Sequence, residues 1–138
     1  MMHKIAITLA ATAFLAACQD TNVMPEAQDG RALFMQNCAV CHGEDAKGDG
    51  PMARGMAKPP KNLTLIKVRN KDSFPRARIM SVIDGYARSD MTGPSMPEFG
   101  ALLEGDLIPF DSGDGIQTPT PRKLVALLEY LESIQAER

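Results

Sequence analysis

Cys38, Cys41 and His42 form a Cys-x-x-Cys-His motif, with Ala39 and Val40 between the two thiols. A short turn can present both thiols toward one flat ring, and the next residue can then place its imidazole under a metal at the ring's centre. This pattern is typical of haem c attachment, in which the thiols add to two vinyl groups on one edge of the porphyrin and the histidine becomes the proximal ligand of the iron. The motif predicts one covalently bound haem c.

Two other kinds of site use the same cysteines. A thioredoxin-like redox pair is expected beside a βαβ pattern, which this chain lacks. A structural zinc site needs four ligands, whereas the strong nitrogen and sulfur donors that follow the N-terminal segment are Cys38, Cys41 and His42 alone. Of these two alternatives, the redox pair is the stronger.

Residues 1–17 have the pattern of an export signal, because one lysine precedes an apolar stretch that is too short to span a bilayer as a helix. The stretch ends in Leu-Ala-Ala-Cys18, which resembles the lipobox of bacterial lipoproteins. That resemblance implies a mature N-terminus at Cys18 that carries acyl chains, several of which make a lasting anchor. An ordinary signal peptide with a free Cys18 is the alternative. We expect an exported protein, lipid-anchored to a bacterial membrane and facing the periplasm, with residues 18–27 as a tether.

Residues 28–138 are expected to form one all-α domain, since no stretch shows convincing strand alternation. One helix is predicted over residues 28–38, a second from a Ser73 cap through Pro75 to Gly85, and a last one with Thr120 as cap and Pro121 at its first position.

Long loops are predicted between these helices, where glycine and proline are frequent, over residues 40–62 and 86–100. The acidic stretch 104–118 is predicted to connect to the last helix. Its Asp-Ser-Gly-Asp-Gly run at residues 111–115 lacks the ligand spacing and terminal Glu of an EF-hand, so an exposed insertion is favoured over a calcium site.

The candidates for the distal ligand of the iron can be reduced by elimination. His42 is the only histidine after the signal segment, so a second histidine from the same chain is excluded. Among the methionines, Met91 and Met96 lie in the loop far from the attachment motif, and Pro97 restricts the backbone after Met96. Met96 is favoured, and Met91 or an open site is the alternative. A thioether opposite an imidazole raises the reduction potential.

The order of these features resembles the class I cytochrome c family of bacterial electron-transfer proteins. The attachment motif stands near the N-terminus, Met96-Pro97-Glu98-Phe99-Gly100 follows, and an amphipathic helix closes the chain. The resemblance covers about residues 27–136 and implies the class I fold, with helices and long loops around one haem. It also supports Met96 as the distal ligand and electron transfer rather than catalysis.

Further positions are implied by the same resemblance. Pro51 resembles the family's proline whose carbonyl accepts the N–H of the proximal imidazole, although a simple turn proline is an equal alternative. Gly30 and Phe34 of the first helix, with Leu127 and Tyr130 of the last, resemble the contact at which these two helices cross. Ordinary packing of two helices would bring the same four residues together without any relation to the family.

Charge is unevenly distributed, although the full chain has a net charge of only −2. Nine basic residues lie between Arg54 and Arg88 against two acidic ones, and six acidic residues lie between Asp90 and Asp114 with no basic one. The basic segment could steer the protein onto acidic redox partners, or it is simply a solvated surface. Nucleic-acid binding has no support in an exported, acidic chain.

Three functions remain open at this stage. The first is a single-electron carrier, monomeric, between a respiratory-type donor and acceptor. The second is the haem subunit of a larger oxidase or dehydrogenase complex. The third is a haem peroxidase or gas sensor, which needs an open sixth position on the iron or a distal acid–base group.

Overall fold

The first helix, α1 (Ala27–Asn37), begins at a capping box. The Asp29 carboxylate accepts the backbone N–H of Glu26 at 3.1 Å, which satisfies one of the donors that a helix start leaves unpaired. Gly30 and Phe34, one turn apart, form the buried face of α1. These bounds confirm the helix predicted over residues 28–38 to within a residue at each end. The computed structural model describes residues 23–86 and 96–137.

The last helix, α6 (Arg122–Ser133), packs along α1 and is buried on two sides. One side joins Phe34 and Ile83 in the main core cluster through four residues: Leu124, Leu127, Tyr130 and Leu131. The other side contributes Val125 and Leu128 to a second cluster. The leucine spacing predicted one apolar face, and the second buried side is explained by the hairpin described next.

Residues 107–121 form a β-hairpin, where a connection to Pro119 and then the start of the last helix are predicted. Strand β1 (Leu107–Asp111) pairs antiparallel with β2 (Gln117–Pro121), and Ile108 and Phe110 point into the second core cluster beside α6. The expectation that the chain contains no strand was therefore wrong here. The alternation was hard to recognise because Leu107 and Pro109, on the exposed face, are apolar as well.

Prolines do not prevent this pairing, although they lack the N–H that a ladder uses. Pro109 lies opposite Pro119, and Pro121 lies opposite Leu107. These two residue pairs are two positions apart along the ladder, so they are of the same hydrogen-bonding type. Antiparallel strands have alternate rungs that exchange no backbone hydrogen bonds, and prolines fit only there. A two-stranded ribbon therefore accommodates a proline-rich sequence.

The remaining elements are short. Helix α2 (Ala39–His42) follows α1 directly, and 3₁₀ turns occupy Pro51–Gly55 and Leu63–Leu65. The others are α3 (Ile66–Arg69), α4 (Arg76–Asp84) and α5 (Gly100–Leu103). The main architecture is thus all-α, and parts of the predicted loop over residues 40–62 are organised into single turns.

Two predicted helix caps are wrong, although the helices themselves are present. The residue before α4 is Pro75 rather than Ser73, and the residue before α6 is Pro121 rather than Thr120. Thr120 belongs to β2, and its hydroxyl donates to the carbonyl of Thr118 at 2.9 Å. The predicted stop of α4 at Gly85, in the left-handed conformation, is confirmed.

The chain just before α1 lies against α6. The Arg122 guanidinium donates to the carbonyl of Val23 at 2.5 Å, so the last residues of the predicted tether contact the domain. Cys18 and the signal segment lie outside the described residues, as does Met91. Among the helices that the structure describes, none has the length and apolar character needed to cross a membrane.

Candidate haem-binding site

The Cys-x-x-Cys-His motif folds as one helical turn. The Cys38 carbonyl accepts the backbone N–H of Cys41 at 3.1 Å and that of His42 at 2.9 Å. Residues three and four positions apart on a helix share a face, so this turn presents Cys38, Cys41 and His42 to the same side. Both cysteines are free thiols and half-buried. The turn supplies two thiols and one imidazole together, as attachment of a single flat cofactor requires.

The glycine-rich loop after the motif folds back onto it. Gly48 donates its N–H to the His42 carbonyl at 2.7 Å, and Gly50 donates to the Cys41 carbonyl at 3.1 Å. A Cβ on Gly50 would lie 2.6 Å from backbone atoms of Ala39, Val40 and Cys41, too close for any side chain. The loop therefore fixes the motif's backbone from outside, and Gly50 permits its close approach.

A backbone carbonyl orients the imidazole of His42. Nδ1 of His42 lies 3.3 Å from the carbonyl oxygen of Lys61, which leaves Nε2 for a metal. The resemblance to the family predicts this contact for Pro51, but Pro51 opens the 3₁₀ turn Pro51–Gly55 and is exposed, and the Lys61 carbonyl makes the contact instead. The residue types do not identify Lys61, because the group that it contributes is a backbone carbonyl, which every residue has.

Burial shifts the pKa values of two residues of the motif, His42 and Cys38. Burial lowers the pKa of His42, and the Lys61 carbonyl partly opposes this effect. The imidazole is thus kept neutral, which is the form that binds a metal. Burial, and then the proximity of Cys41, raise the pKa of the Cys38 thiol to about 11. Cys38 is therefore a protonated thiol at neutral pH, and an S–H group is what adds across a vinyl double bond.

Met96 lies against the main core cluster. Its side chain is half-buried and packs against the main core cluster, as does that of Phe99. The Phe99 N–H donates to the Ile83 carbonyl at 3.0 Å, which fastens this segment to the end of α4. Met96 and Cys38 thus contact one core cluster, although they are 58 positions apart in the sequence.

Several apolar side chains around this cluster are only partly covered. Besides Cys38 and Met96, they include Leu63, Phe74, Ile79, Met80 and Phe99. A partly covered apolar surface beside two thiols and a neutral imidazole fits a large flat hydrophobe with an iron at its centre. By contrast, no group of three or more His, Cys, Asp or Glu residues in the described ranges is arranged to hold a bare metal ion.

The predicted contact between the first and last helices is confirmed. The rings of Phe34 and Tyr130 are buried with their centroids 5.2 Å apart, and a Cβ on Gly30 would collide with the backbone of Ala126. Leu127 lies in the same cluster. These residues close the core beside the attachment motif.

The carboxylate of Asp111 organises the loop of the hairpin. One carboxylate oxygen of Asp111 accepts three backbone N–H groups, from Gly113, Asp114 and Gly115, at 2.8 to 3.0 Å. These bonds lower the pKa of Asp111, that from Gly113 most. Its charge therefore helps to form the turn.

Comparisons with known proteins agree with this geometry. The Cytochrome c family model matches residues 27–108, which include α1, the attachment motif, Met96 and the start of β1. Comparison with curated proteins and with solved structures gave no match. A family match over more than half of the chain, together with the paired thiols and the adjacent imidazole, implies a covalently bound haem c at Cys38 and Cys41. The chain is a member of the class I c-type cytochromes, with an all-α cytochrome c fold and a haem-based electron-transfer function.

Proposed function

We propose that this cytochrome carries one electron at a time on a haem c with His42 and Met96 as axial ligands, tethered through Cys18 to the periplasmic side of a membrane. It exchanges electrons with respiratory-type redox proteins and is not an enzyme. The bound haem supplies the reversible one-electron couple of its iron. The chain's own residues attach it, orient the proximal imidazole and exclude water.

The observations that support the proposal are the position of the His42 imidazole and the packing of Met96. The Lys61 carbonyl holds Nδ1 of His42, so that Nε2 is available, and Met96 packs half-buried on the core cluster that also contacts Cys38. A coordinated thioether would close the sixth position, which disfavours a peroxidase or gas sensor. An iron that keeps both axial ligands in its oxidised and reduced states is suited to fast electron transfer.

Substitution of Met96 tests the ligation. In the haem-loaded Met96→Ala protein, we expect the thioether-to-ferric-iron charge-transfer absorption to disappear, the reduction potential to fall, and carbon monoxide to bind the ferrous form rapidly. Met91→Ala is the matched control, because it removes the other candidate from the same loop. If Met91→Ala caused these changes and Met96→Ala did not, the assignment of Met96 would be wrong.

The proposed anchor is tested at Cys18. Mass spectrometry of the mature N-terminus is expected to find an acylated Cys18, and Cys18→Ser is expected to move the protein from the membrane fraction to the soluble one. Haem loading should be unchanged in this variant, because Cys38 and Cys41 remain. A mature N-terminus elsewhere, or an unmodified Cys18, would contradict the anchor.

The redox partners are proposed to dock through the basic segment 54–88. Its residues Lys58, Lys61, Lys67, Lys71 and Arg78 are all exposed. Lys61 also provides the carbonyl beside His42, so positive charge lies close to the proximal side of the site. An acidic partner would be attracted to this surface. Co-purification from detergent-solubilised membranes identifies the donor and acceptor and separates a roaming carrier from a subunit of a complex.

A further inference from the structure

Arg76 joins three elements of the fold that are distant in sequence. From the first turn of α4, its guanidinium lies 3.3 Å from a carboxylate oxygen of Glu129 and 2.6 Å from one of Glu132, both on α6. It also lies over the ring of Phe110 in β1, 5.6 Å from the ring centre. One side chain thus connects α4 to both α6 and the hairpin.

This group of contacts is partly shielded from water. The side chains of Arg76 and Glu129 are each 30% exposed and that of Glu132 is 35% exposed. An isolated surface ion pair contributes little, but a planar guanidinium that contacts two carboxylates and an aromatic face at once fixes geometry as well as charge. A lysine in its place would supply the charge without the planar, forked geometry.

The opposite end of α4 holds the segment that carries Met96. The Ile83 carbonyl accepts the N–H of Phe99, and Gly100 packs so closely on Asp84 that a Cβ there would lie 2.6 Å from its carboxylate oxygen. Between the two ends, Ile79 and Met80 contact both core clusters. Helix α4 therefore links the Arg76 contacts at one end to the Met96 segment at the other.

The partners of Arg76 lie beyond the part of the chain that the family model matches. The match ends at Ile108, whereas Phe110, Glu129 and Glu132 all follow it. The hairpin and its contact with α4 are therefore features of this chain that the family match does not account for.

We propose that Arg76 is a positioning residue for the distal ligand: by fixing α4 on α6 and the hairpin, it holds the Met96 segment against the iron site. The proposal rests on the ligation by Met96 proposed above. Without Arg76, α4 can shift relative to α6, and the thioether spends more time away from the iron.

The test compares haem-loaded wild-type protein with Arg76→Met, which keeps much of the side chain's length and removes its charge. The charge-transfer absorption of the Met-ligated ferric form is expected to weaken. The rate at which carbon monoxide binds the ferrous form is expected to rise by up to about fivefold, the factor that corresponds to about 1 kcal/mol for partly exposed ion pairs. Arg76→Lys, which keeps the charge without the planar geometry, is expected to restore only part of the wild-type behaviour.

Arg31→Met is the matched control, because Arg31 is an exposed arginine on α1 that belongs to neither the site nor the basic segment. It should leave both readouts unchanged. Glu132→Gln removes one ion pair while keeping the shape of the side chain. It should weaken the absorption band and raise the carbon monoxide rate as Arg76→Met does, but by less. If Arg76→Met does not fold, Glu132→Gln tests the proposal in its place.

Two results would overturn the proposal in different ways. If Arg76→Met lowered the unfolding temperature but left the absorption band and the carbon monoxide rate at wild-type values, Arg76 would be only structural. If Met96→Ala had the same spectrum as the wild type, the ligation itself would be wrong, and the role of Arg76 would fall with it.

Discussion

The ring of Phe34 faces the ring of Tyr130 with centroids 5.2 Å apart and planes inclined by 52°, at the point where α1 crosses α6. Tilted pairs of this kind contribute about 0.5–1.5 kcal/mol beyond the area that they bury. Gly30 lies one turn before Phe34, and only its missing Cβ lets the two backbones come so close. The contact that closes the core beside the attachment motif therefore depends on a glycine.

Gly30→Ala is expected to destabilise the protein. Alanine favours a helix by about 1 kcal/mol over glycine, but a methyl group forced against the Ala126 carbonyl costs about 1–3 kcal/mol or more and disturbs the ring pair. Chemical denaturation of the haem-loaded protein measures the difference. Gly55→Ala is the control, since nothing lies within 4 Å of a Cβ there, and it should change the free energy of unfolding little. An increase in stability for Gly30→Ala would contradict this account of the crossing.

The Asp111 turn predicts a pH-dependent contribution to stability. Backbone N–H groups, that of Gly113 foremost, lower the pKa of Asp111 in the folded state below its ordinary value of 3.8. The folded state thus binds the proton less readily than the unfolded state, and the ionised carboxylate stabilises the fold above pH 3.8. This stabilisation is lost as the pH falls through the lowered pKa.

Asp111→Asn keeps an oxygen acceptor without the charge. Its unfolding temperature is expected to be lower than that of the wild type at neutral pH, and the difference should shrink as the pH is lowered below 3.8. Asp106→Asn, an exposed position just before β1, is the control and should show no such convergence. A difference between Asp111→Asn and wild type that is independent of pH would mean that shape rather than charge forms the turn.

The sequence predicted those parts of the fold and of the site that depend on side-chain chemistry or on a clear periodic spacing of apolar residues. The thiols and imidazole of the motif could be recognised from residue type, and α6 from its leucine spacing. Lys61 could not, because a carbonyl carries no signature in the sequence. The hairpin was missed because its exposed face is also apolar and its prolines, which usually argue against strands, occupy rungs that need no N–H.

Arg76 was counted in the sequence only as one of nine basic residues of a surface segment. The structure gives it partners on α6 and on the hairpin, so it differs from its exposed neighbours. Its partners are more than 30 positions away, and no local pattern connects them. Long-range pairing of this kind is determined by the packing of α4 on α6, which spacing alone does not specify.

The basic segment predicts salt-dependent electron transfer. Replacing Lys58, Lys61 and Lys71 with glutamine is expected to slow oxidation by an anionic complex such as hexacyanoferrate at low ionic strength by up to about tenfold, and to speed reaction with a cationic one. The differences should disappear near 1 M salt, where charges are screened within about 3 Å. Lys123→Gln, on α6, is the control. Equal rates for wild type and the triple variant at low salt would show that this surface does not steer partners.

The second core cluster predicts that the hairpin is needed for stability as well as for the Arg76 contacts. Leu128 is fully buried among Ile108, Phe110 and Val125, so it lies where α6 meets the hairpin rather than where it meets α1. Leu128→Ala leaves a cavity that the neighbouring strands can fill only in part, and a loss of about 2–5 kcal/mol in the free energy of unfolding is expected. Leu102→Ala, at a position 52% exposed, should cost less than about 0.5 kcal/mol. If Leu128→Ala did not change the free energy of unfolding, the packing of the hairpin on α6 would not contribute to stability.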